Sequence, residues 1–347
     1  MKRYCIFILL GVACFLGSCL PERSGTIASL ETPAKAVRAG LALSSHGLGD
    51  QSFNDMLYNG LIQAYTRFDI DAVLRIPPDD DEKTLEALFE DMIQKDKCNV
   101  ILAGEGFLMG PIIYALARKY PDIVFILFDY DEGYHLPNLA TAEFAQNEGS
   151  FAAGFLAARF SKTKRIGFLG GVDVASVRDF EAGFRQGVQY GDPVCTIITR
   201  HISLLPDFSG FSDPKRGYEM AMEMYAEDMD IIYAAAGASG NGIIRAAQES
   251  GHYVIGVDSD QDHMAPGYVL TSMLKRLDVA LVRLLEYRIA GGLRGESYRF
   301  DYRNGGISLT GMEYTKSLFP AALLDELGRV EEMIKNERIA VINTWGK

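Results

Sequence analysis

The 347-residue chain contains little cysteine and little histidine, and it has fewer basic than acidic residues. Its five cysteines include no CxxC pair, so they indicate neither a disulfide scaffold nor a zinc site. The five histidines show no spacing typical of metal ligands. A formal net charge of −12 argues against a nucleic-acid partner, because such proteins carry a basic face. We therefore expect no metal, no cofactor and no nucleic acid to bind.

Motifs of common enzymes are also missing from the sequence. It contains no GxSxG, no HExxH and no Walker GxxxxGK[ST] pattern. The glycine segment Gly237–Gly242 reads GxxGxG, and the segment around Glu105 reads Gly-Glu-Gly, so neither matches the dinucleotide pattern GxGxxG. Nothing here supports a hydrolase, a metalloenzyme or a nucleotide enzyme, and we expect that the protein is not an enzyme.

The N-terminus has the features of a secretory signal. Lys2 and Arg3 precede an apolar run that ends near Phe15, and Leu16-Gly17-Ser18-Cys19 resembles a bacterial lipobox. We expect residues 1–18 to be removed, Cys19 to carry lipid and residues 19–37 to form a tether, which would hold the protein on the periplasmic or extracellular face of a cell membrane. The alternative is a signal without lipid that happens to contain a cysteine. No later stretch has 18 consecutive apolar residues, so we expect a water-soluble body.

The rest of the chain alternates short apolar strands with amphipathic helices, which predicts parallel sheets covered on both faces. Two such units are joined near Thr141–Gln146. Among the elements we expect are a helix over Ile112–Lys119 and a short strand over Val269–Ser272. The tail then adds a strand and two helices, so the chain is expected to return between two α/β lobes that close like a jaw. The expected lobes are 38–143 with 271–295, and 144–270 with 296–347.

In open parallel sheets, ligands bind beyond the carboxyl ends of the strands. Polar, acidic and aromatic side chains follow several of the predicted strands. Taken singly, each has a structural explanation, as a helix cap, a turn former or a core aromatic. Their clustering at one sheet edge favours a binding site. The residues concerned are Ser44, Ser45, His46, Asp50, Phe53, Asn54, Asp129, Phe211, Asp213, Gly237 and Asp258.

Nine ordered motifs between Arg38 and Ala290 resemble the basic membrane protein (BMP) family of bacterial substrate-binding lipoproteins, which includes spirochaete purine nucleoside receptors. The motifs are DQSFN (50–54), FDYDE (128–132), QNEGSFAAGFLAA (146–158), IGFLGG (166–171), FEAGFRQGV (180–188), GFSDPKRG (210–217), AAAGASGNGII (234–244), VIGVDSDQ (254–261) and LTSMLKRLDVA (270–280). The resemblance implies the type I periplasmic binding protein fold, with two doubly wound parallel-sheet lobes joined by several crossover strands.

The resemblance also implies a set of ligand-binding residues. Phe53 and Phe211 match the aromatics that stack on the two faces of the purine, and Asn54 follows the first of them. Asp129 matches the acid at the base edge, whereas Asp258 matches the acid that takes the ribose hydroxyls. Lys275 is expected to keep Asp258 ionised, and Gly237 matches the ribose side.

The chain departs from the family pattern at the end of the first strand. Many relatives have an acid where this chain has Ser44 and Ser45, and often a lysine where it has Gln51. His46, Asp50 or Ser45 are candidates for the contact that this change removes.

The function implied is a lipid-anchored receptor that captures a purine nucleoside (adenosine, guanosine or inosine) and delivers it to an ABC permease. Three alternatives remain open at this point. The same fold could bind a sugar or another small metabolite, the protein could be a surface lipoprotein that binds host molecules, or it could act on nucleosides as an enzyme.

Overall fold

The computed structural model describes residues 36–129, 133 and 136–344. The expected signal sequence, the lipidation site Cys19 and nearly all of the tether lie outside these residues. The described residues 36–344 belong to one compact unit.

Twelve strands and nine α-helices make up the described part. The strands are β1 (Arg38–Ala42), β2 (Asp71–Arg75), β3 (Val100–Ala103), β4 (Val124–Phe128), β5 (Leu139–Phe144), β6 (Arg165–Val172), β7 (Thr196–Ser203), β8 (Ile231–Ala235), β9 (Tyr253–Asp258), β10 (Val269–Lys275), β11 (Ser297–Phe300) and β12 (Ile307–Leu309). The helices are α1 (Phe53–Arg67), α2 (Glu82–Gln94), α3 (Gly106–Lys119), α4 (Gln146–Phe160), α5 (Ala175–Gly191), α6 (Pro214–Ala226), α7 (Ser239–Ser250), α8 (Leu277–Ile289) and α9 (Ala321–Lys335).

The strands form two six-stranded sheets with the same internal order. The first sheet runs β11-β5-β4-β3-β1-β2 and is parallel throughout. The second runs β12-β10-β9-β8-β6-β7 and is parallel except for its edge strand β12, which pairs antiparallel with β10. The central strands are apolar and buried on both faces, as parallel strands under helices must be. The two-lobed α/β architecture expected from the sequence is confirmed.

The chain passes between the lobes three times. After β5 it enters α4, which packs on α5 beside the second sheet, and after β10 it enters α8, which packs on α1 beside the first. After β11 it returns to the second sheet as β12. We call the first sheet with α1, α2, α3 and α8 the first lobe, and the second sheet with the remaining helices the second lobe.

Two of the points where the chain passes between the lobes lie a few residues from the lobe boundaries that we expected from the sequence. Residues 271–275, expected in the first lobe, continue β10 in the second sheet, where Leu274 is in register with Asp258. Residues 297–300, expected in the second lobe, form the edge of the first sheet, with Phe300 in register with Phe144. These pairings depend on main-chain hydrogen bonds between distant segments, which the local sequence pattern does not specify.

Local sequence explains where helix α6 begins. The Asp213 carboxylate accepts a hydrogen bond from the Arg216 amide at 2.9 Å, and Pro214 occupies the first helical position of α6. This cap was expected from the sequence. Helix α3, by contrast, begins at Gly106 rather than at Ile112, because Pro111 lies inside the helix instead of preceding it.

Candidate functional site

A pocket lies between the lobes at the carboxyl ends of both sheets. Residues that follow β1, β3 and β4 form one side, and residues at the ends of β8, β9 and β10 form the other. The structure brings nine of the sequence-derived candidates together here, namely His46, Asp50, Phe53, Asn54, Asp129, Phe211, Gly237, Asp258 and Lys275.

Aromatic side chains from both lobes line this pocket. Phe53 is the first residue of α1 in the first lobe, and Phe211 ends a short 3₁₀ turn, Ser209–Phe211, in the second. Phe107 on α3 reaches across the cleft, with its ring centroid 5.9 Å from that of Phe211 and 5.5 Å from that of Phe208. The pocket therefore offers apolar, flat surfaces contributed by both lobes.

The buried lysine of the pocket pairs with an acid of the opposite lobe. Lys275 ends β10, and its Nζ lies 2.5 Å from Oδ1 of Asp129, which directly follows β4. The two side chains are only 1% and 8% exposed. The same ammonium lies within 5.5 Å of the ring centroids of Phe53 and Phe180, so cation–π attraction adds to the ion pair.

The sequence predicts that Lys275 keeps Asp258 ionised, but the hydrogen bond of Lys275 goes to Asp129. Asp258 instead accepts a hydrogen bond of 2.5 Å from Ser52 Oγ of the first lobe. Burial raises the pKa of Asp258, while the positive charge of Lys275 and the Ser52 hydrogen bond act in the opposite direction. Lys275 thus stabilises the Asp258 carboxylate through space, but its hydrogen bond goes to Asp129.

Asp50 holds the loop that carries Phe53. Its carboxylate accepts hydrogen bonds from the backbone amides of Ser52, Asn54 and Asp55 at 2.9, 2.8 and 3.1 Å. This is the capping role that the sequence allowed, exercised by a residue that also faces the pocket. Burial raises the pKa of Asp50 to about 6 despite these hydrogen bonds.

The side chains of Ser45 and Ser44 donate hydrogen bonds to two different carboxylates. The amide and hydroxyl of Ser45 both donate to the Asp80 carboxylate at 2.7 Å, and Ser45 does not line the pocket. Ser44 is fully buried and donates to Glu105 Oε1 at 2.7 Å. His46, two residues later, does line the pocket, and its Nδ1 lies 3.5 Å from Ser44 Oγ.

Several pocket residues were not singled out from the sequence, and Glu105 is the most consequential of them. It is the second residue after β3, and it contributes a fourth carboxyl group beside Asp50, Asp129 and Asp258. Its position two residues after a buried strand is the signal that could have found it, because ligands bind beyond the carboxyl ends of parallel strands. The other additions are Phe107, Ser176, Val177, Phe180, Ala235, Ala236, Ala238 and Val257.

Hydrogen bonds join the lobes at one rim of the pocket. The Gln51 carbonyl oxygen accepts from Ser259 Oγ and, at 3.0 Å, from Gln261 Nε2. Together with the Ser52–Asp258 and Lys275–Asp129 contacts, these bonds hold the cleft in a closed arrangement.

The chemistry of the pocket suits a ligand rich in hydrogen-bond donors. Four carboxyl groups face one lysine, and an ionised carboxylate only accepts hydrogen bonds. Among the described residues, no group of three or more His, Cys, Asp or Glu side chains is placed to hold a metal ion. The helices of the described part include none that is long and apolar enough to cross a membrane.

Comparison with known proteins identifies a family over nearly the whole described chain. Residues 38–344 match the family model "ABC transporter substrate-binding protein PnrA-like". Basic membrane protein A2 of Borrelia garinii subsp. bavariensis is 30% identical over 301 residues, which cover 84% of each chain. Basic membrane protein A of Borreliella burgdorferi is 34% identical over 237 residues, covering 67% of this chain and 66% of that protein.

A solved structure supports the fold independently. A solute-binding protein of an ABC transporter system from Aeropyrum pernix K1 superposes with a TM-score of 0.73 at 23% identity, covering 89% of this chain and 88% of that one. At this level of identity the likeness concerns the fold alone.

Proposed function

Because the chain belongs to the PnrA-like family of ABC transporter substrate-binding proteins, we propose that it captures a purine nucleoside between its lobes and delivers it to an ABC permease. No reaction on the ligand is part of this role. Its family consists of substrate-binding proteins of transporters, so the family supports a solute-binding role. That the solute is a purine nucleoside is our proposal.

One pocket combines two aromatic rings with a carboxylate and a lysine, and this combination supports a purine nucleoside as the ligand. Phe53 and Phe211, from opposite lobes, offer two apolar rings to a flat heterocycle, and stacking of a base on an aromatic ring contributes about 1–3 kcal/mol in nucleic-acid binders. Asp258 offers a carboxylate for the adjacent hydroxyls of a ribose, and Lys275 supports its ionised form. Two rings also suit a sugar ring, so competition between ribose and a nucleoside separates these two ligands.

The membrane attachment is proposed on the N-terminal sequence. The Leu16-Gly17-Ser18-Cys19 segment has the arrangement that precedes lipid attachment, and the relatives above are named basic membrane proteins. Lipid on Cys19 would keep the binding domain close to its permease at the cell membrane.

Titration calorimetry on protein that has been unfolded and refolded, to remove any copurified ligand, tests the nucleoside claim. We expect adenosine, guanosine or inosine to bind and free ribose not to compete. Phe211→Ala should weaken the nucleoside affinity at least tenfold, about 1.4 kcal/mol, because it removes one stacking face. Tyr314→Ala, which removes an exposed ring outside the pocket, is the matched control and should leave the affinity unchanged.

Three results would contradict the proposal. Heat from ribose but from no nucleoside would make the protein a sugar receptor. Heat from neither, together with binding to a host protein, would favour the surface-lipoprotein alternative. Release of free base during the titration would show an enzyme.

A further inference from the structure

Glu105 has a left-handed backbone conformation. The residue at the equivalent position of the second lobe has the same conformation, but it is a glycine. The two sheets have the same strand order, so β3 corresponds to β8, and the second residue after each strand is Glu105 and Gly237. Both have left-handed φ angles, +49° and +54°. Glycine adopts such angles without strain, whereas a glutamate does not. Two other acids of the same pocket, Asp129 and Asp258, also have left-handed φ angles, +62° and +66°, and strained residues are enriched at ligand sites.

The Glu105 side chain begins a polar cluster in the pocket wall. Its Oε1 accepts from Ser44 Oγ at 2.7 Å, and Ser44 Oγ in turn accepts from Asn54 Nδ2 at 3.3 Å. Asn54 is 3% exposed, and its Oδ1 has no hydrogen-bond partner among the residues that the structure describes. The cluster therefore presents acceptors that a ligand with N–H or O–H groups would satisfy.

The cluster lies beside the first stacking ring. Gly104 precedes Glu105, and a Cβ at Gly104 would be 3.1 Å from Cε1 of Phe53. Asn54 directly follows Phe53 in α1. A heterocycle stacked on Phe53 would thus have its edge within reach of both side chains.

We propose that Glu105 and Asn54 form a subsite that selects guanine over adenine, by accepting hydrogen bonds from neighbouring N–H groups on the edge of the base. This inference rests on the nucleoside function proposed above and names the preferred member of that class. Guanine carries a ring N–H next to an exocyclic amino group, so a carboxylate can accept from both. Adenine has its amino group next to a ring nitrogen that only accepts, which an ionised carboxylate repels.

The ionisation of Glu105 gives the preference a pH dependence. Burial is the main reason why the pKa of Glu105 is raised to about 7; the Ser44 hydrogen bond opposes this shift, and the charges of Asp80, Asp50 and Asp129 add to it. The charged or titratable groups around it are Asp50, Asp80, Asp129, His46 and Lys275. Above pH 7 the carboxylate form favours guanosine. Below pH 7 the protonated form can donate to the adenine ring nitrogen and accept from its amino group, so the preference for guanosine declines.

Calorimetric titration of guanosine and adenosine at pH 8 and pH 6 tests this subsite. For the wild type we expect guanosine to bind at least tenfold more tightly than adenosine at pH 8, and the ratio to fall at pH 6. Glu105→Gln replaces one acceptor oxygen by a donor, so guanosine affinity should fall at least tenfold while adenosine affinity is kept. The ratio should then be the same at both pH values.

Two further variants separate recognition from structure. Asp80→Asn removes a nearby negative charge without touching the pocket and should leave the ratio at pH 8 unchanged. Glu105→Gly relieves the left-handed strain, so its unfolding midpoint in urea should rise while its guanosine preference disappears.

The outcomes distinguish the two claims. If the wild type binds no nucleoside, the proposed function fails and this inference fails with it. If nucleosides bind but Glu105→Gln and Glu105→Gly keep the wild-type guanosine-to-adenosine ratio, the inference alone is overturned. An adenosine preference of the wild type at pH 8 would overturn it as well.

Discussion

At the scale of the residue, the buried charge of Lys275 is balanced across the cleft. Its ammonium is 1% exposed and pairs with Asp129 of the first lobe at 2.5 Å. Taking two ions out of water costs several kcal/mol, which only good geometry repays, whereas removing one ion leaves the other buried and unpaired. The pair therefore contributes little net stability, but each partner depends strongly on the other.

We predict that Lys275→Met lowers the free energy of unfolding by about 3–5 kcal/mol, because Asp129 is left as an uncompensated buried carboxylate. Adding Asp129→Asn to Lys275→Met should recover most of the loss. Urea denaturation at pH 7 measures both effects.

An exposed pair provides the control for this prediction. Lys95 and Asp91 form an i,i+4 salt bridge of 2.8 Å with side chains 74% and 52% exposed. Lys95→Met should change the free energy of unfolding by no more than about 0.5 kcal/mol. A Lys275→Met effect as small as that of Lys95→Met would show that the interlobe pair is not formed in solution.

The sequence predicted which residues gather at the pocket better than it predicted their partners. Phe53, Phe211, Asp129 and Asp258 could be placed because the carboxyl ends of parallel strands share one edge of a sheet. The partner of Lys275 could not, because the acids of the pocket compete for it and the choice depends on how the lobes face each other. Glu105 could not be predicted as a pocket residue, because a single glutamate between two glycines is equally typical of an ordinary turn.

At the scale of the element, α4 and α5 approach so closely that glycine is required between them. A Cβ at Gly187 on α5 would lie 1.9 Å from the Phe151 carbonyl oxygen of α4, and one at Gly183 would lie 2.0 Å from that of Asn147. Real side chains do not occupy such positions, so the backbones would have to separate. This contact fixes α4 in the second lobe, where the chain arrives after its first passage between the lobes.

We predict that Gly187→Ala destabilises the protein by about 3 kcal/mol, because backbone atoms, unlike flexible side chains, cannot move aside. Gly328→Ala in α9 is the matched control. A Cβ there meets nothing within 4 Å, so higher helix propensity should stabilise the fold by about 0.5–1 kcal/mol. Thermal unfolding measures both variants, and equal effects on the midpoint would contradict the packing of α4 against α5.

Elements with a strong local pattern were predictable, and those defined by distant pairing were not. Helix α6 begins at Pro214, directly after the Asp213 cap. The sequence predicts only a join between the two units near Thr141–Gln146, whereas the first residues of this segment belong to strand β5, which pairs with β4 and β11. Strand β12 has three residues and exists through its pairing with β10.

At the scale of the whole molecule, the repeated strand order places equivalent positions opposite each other across the cleft. Asp129 and Asp258 follow or end the corresponding strands β4 and β9, and both have left-handed φ angles, +62° and +66°. The two similar lobes thus present similar carboxylates to the cleft. The two carboxylates differ in that Lys275 forms its ion pair with Asp129 and not with Asp258. The sequence revealed the repeat through its rhythm, but not how the repeated acids are used.

The central claim is that a purine nucleoside occupies the interlobe cleft, with its base between the rings of Phe53 and Phe211. A crystal structure of the refolded protein grown with guanosine tests this most directly. The account predicts density for the base between those two rings, with the ribose hydroxyls at Asp258. Guanosine bound elsewhere, or a closed cleft that excludes it at saturating concentration, would contradict the account.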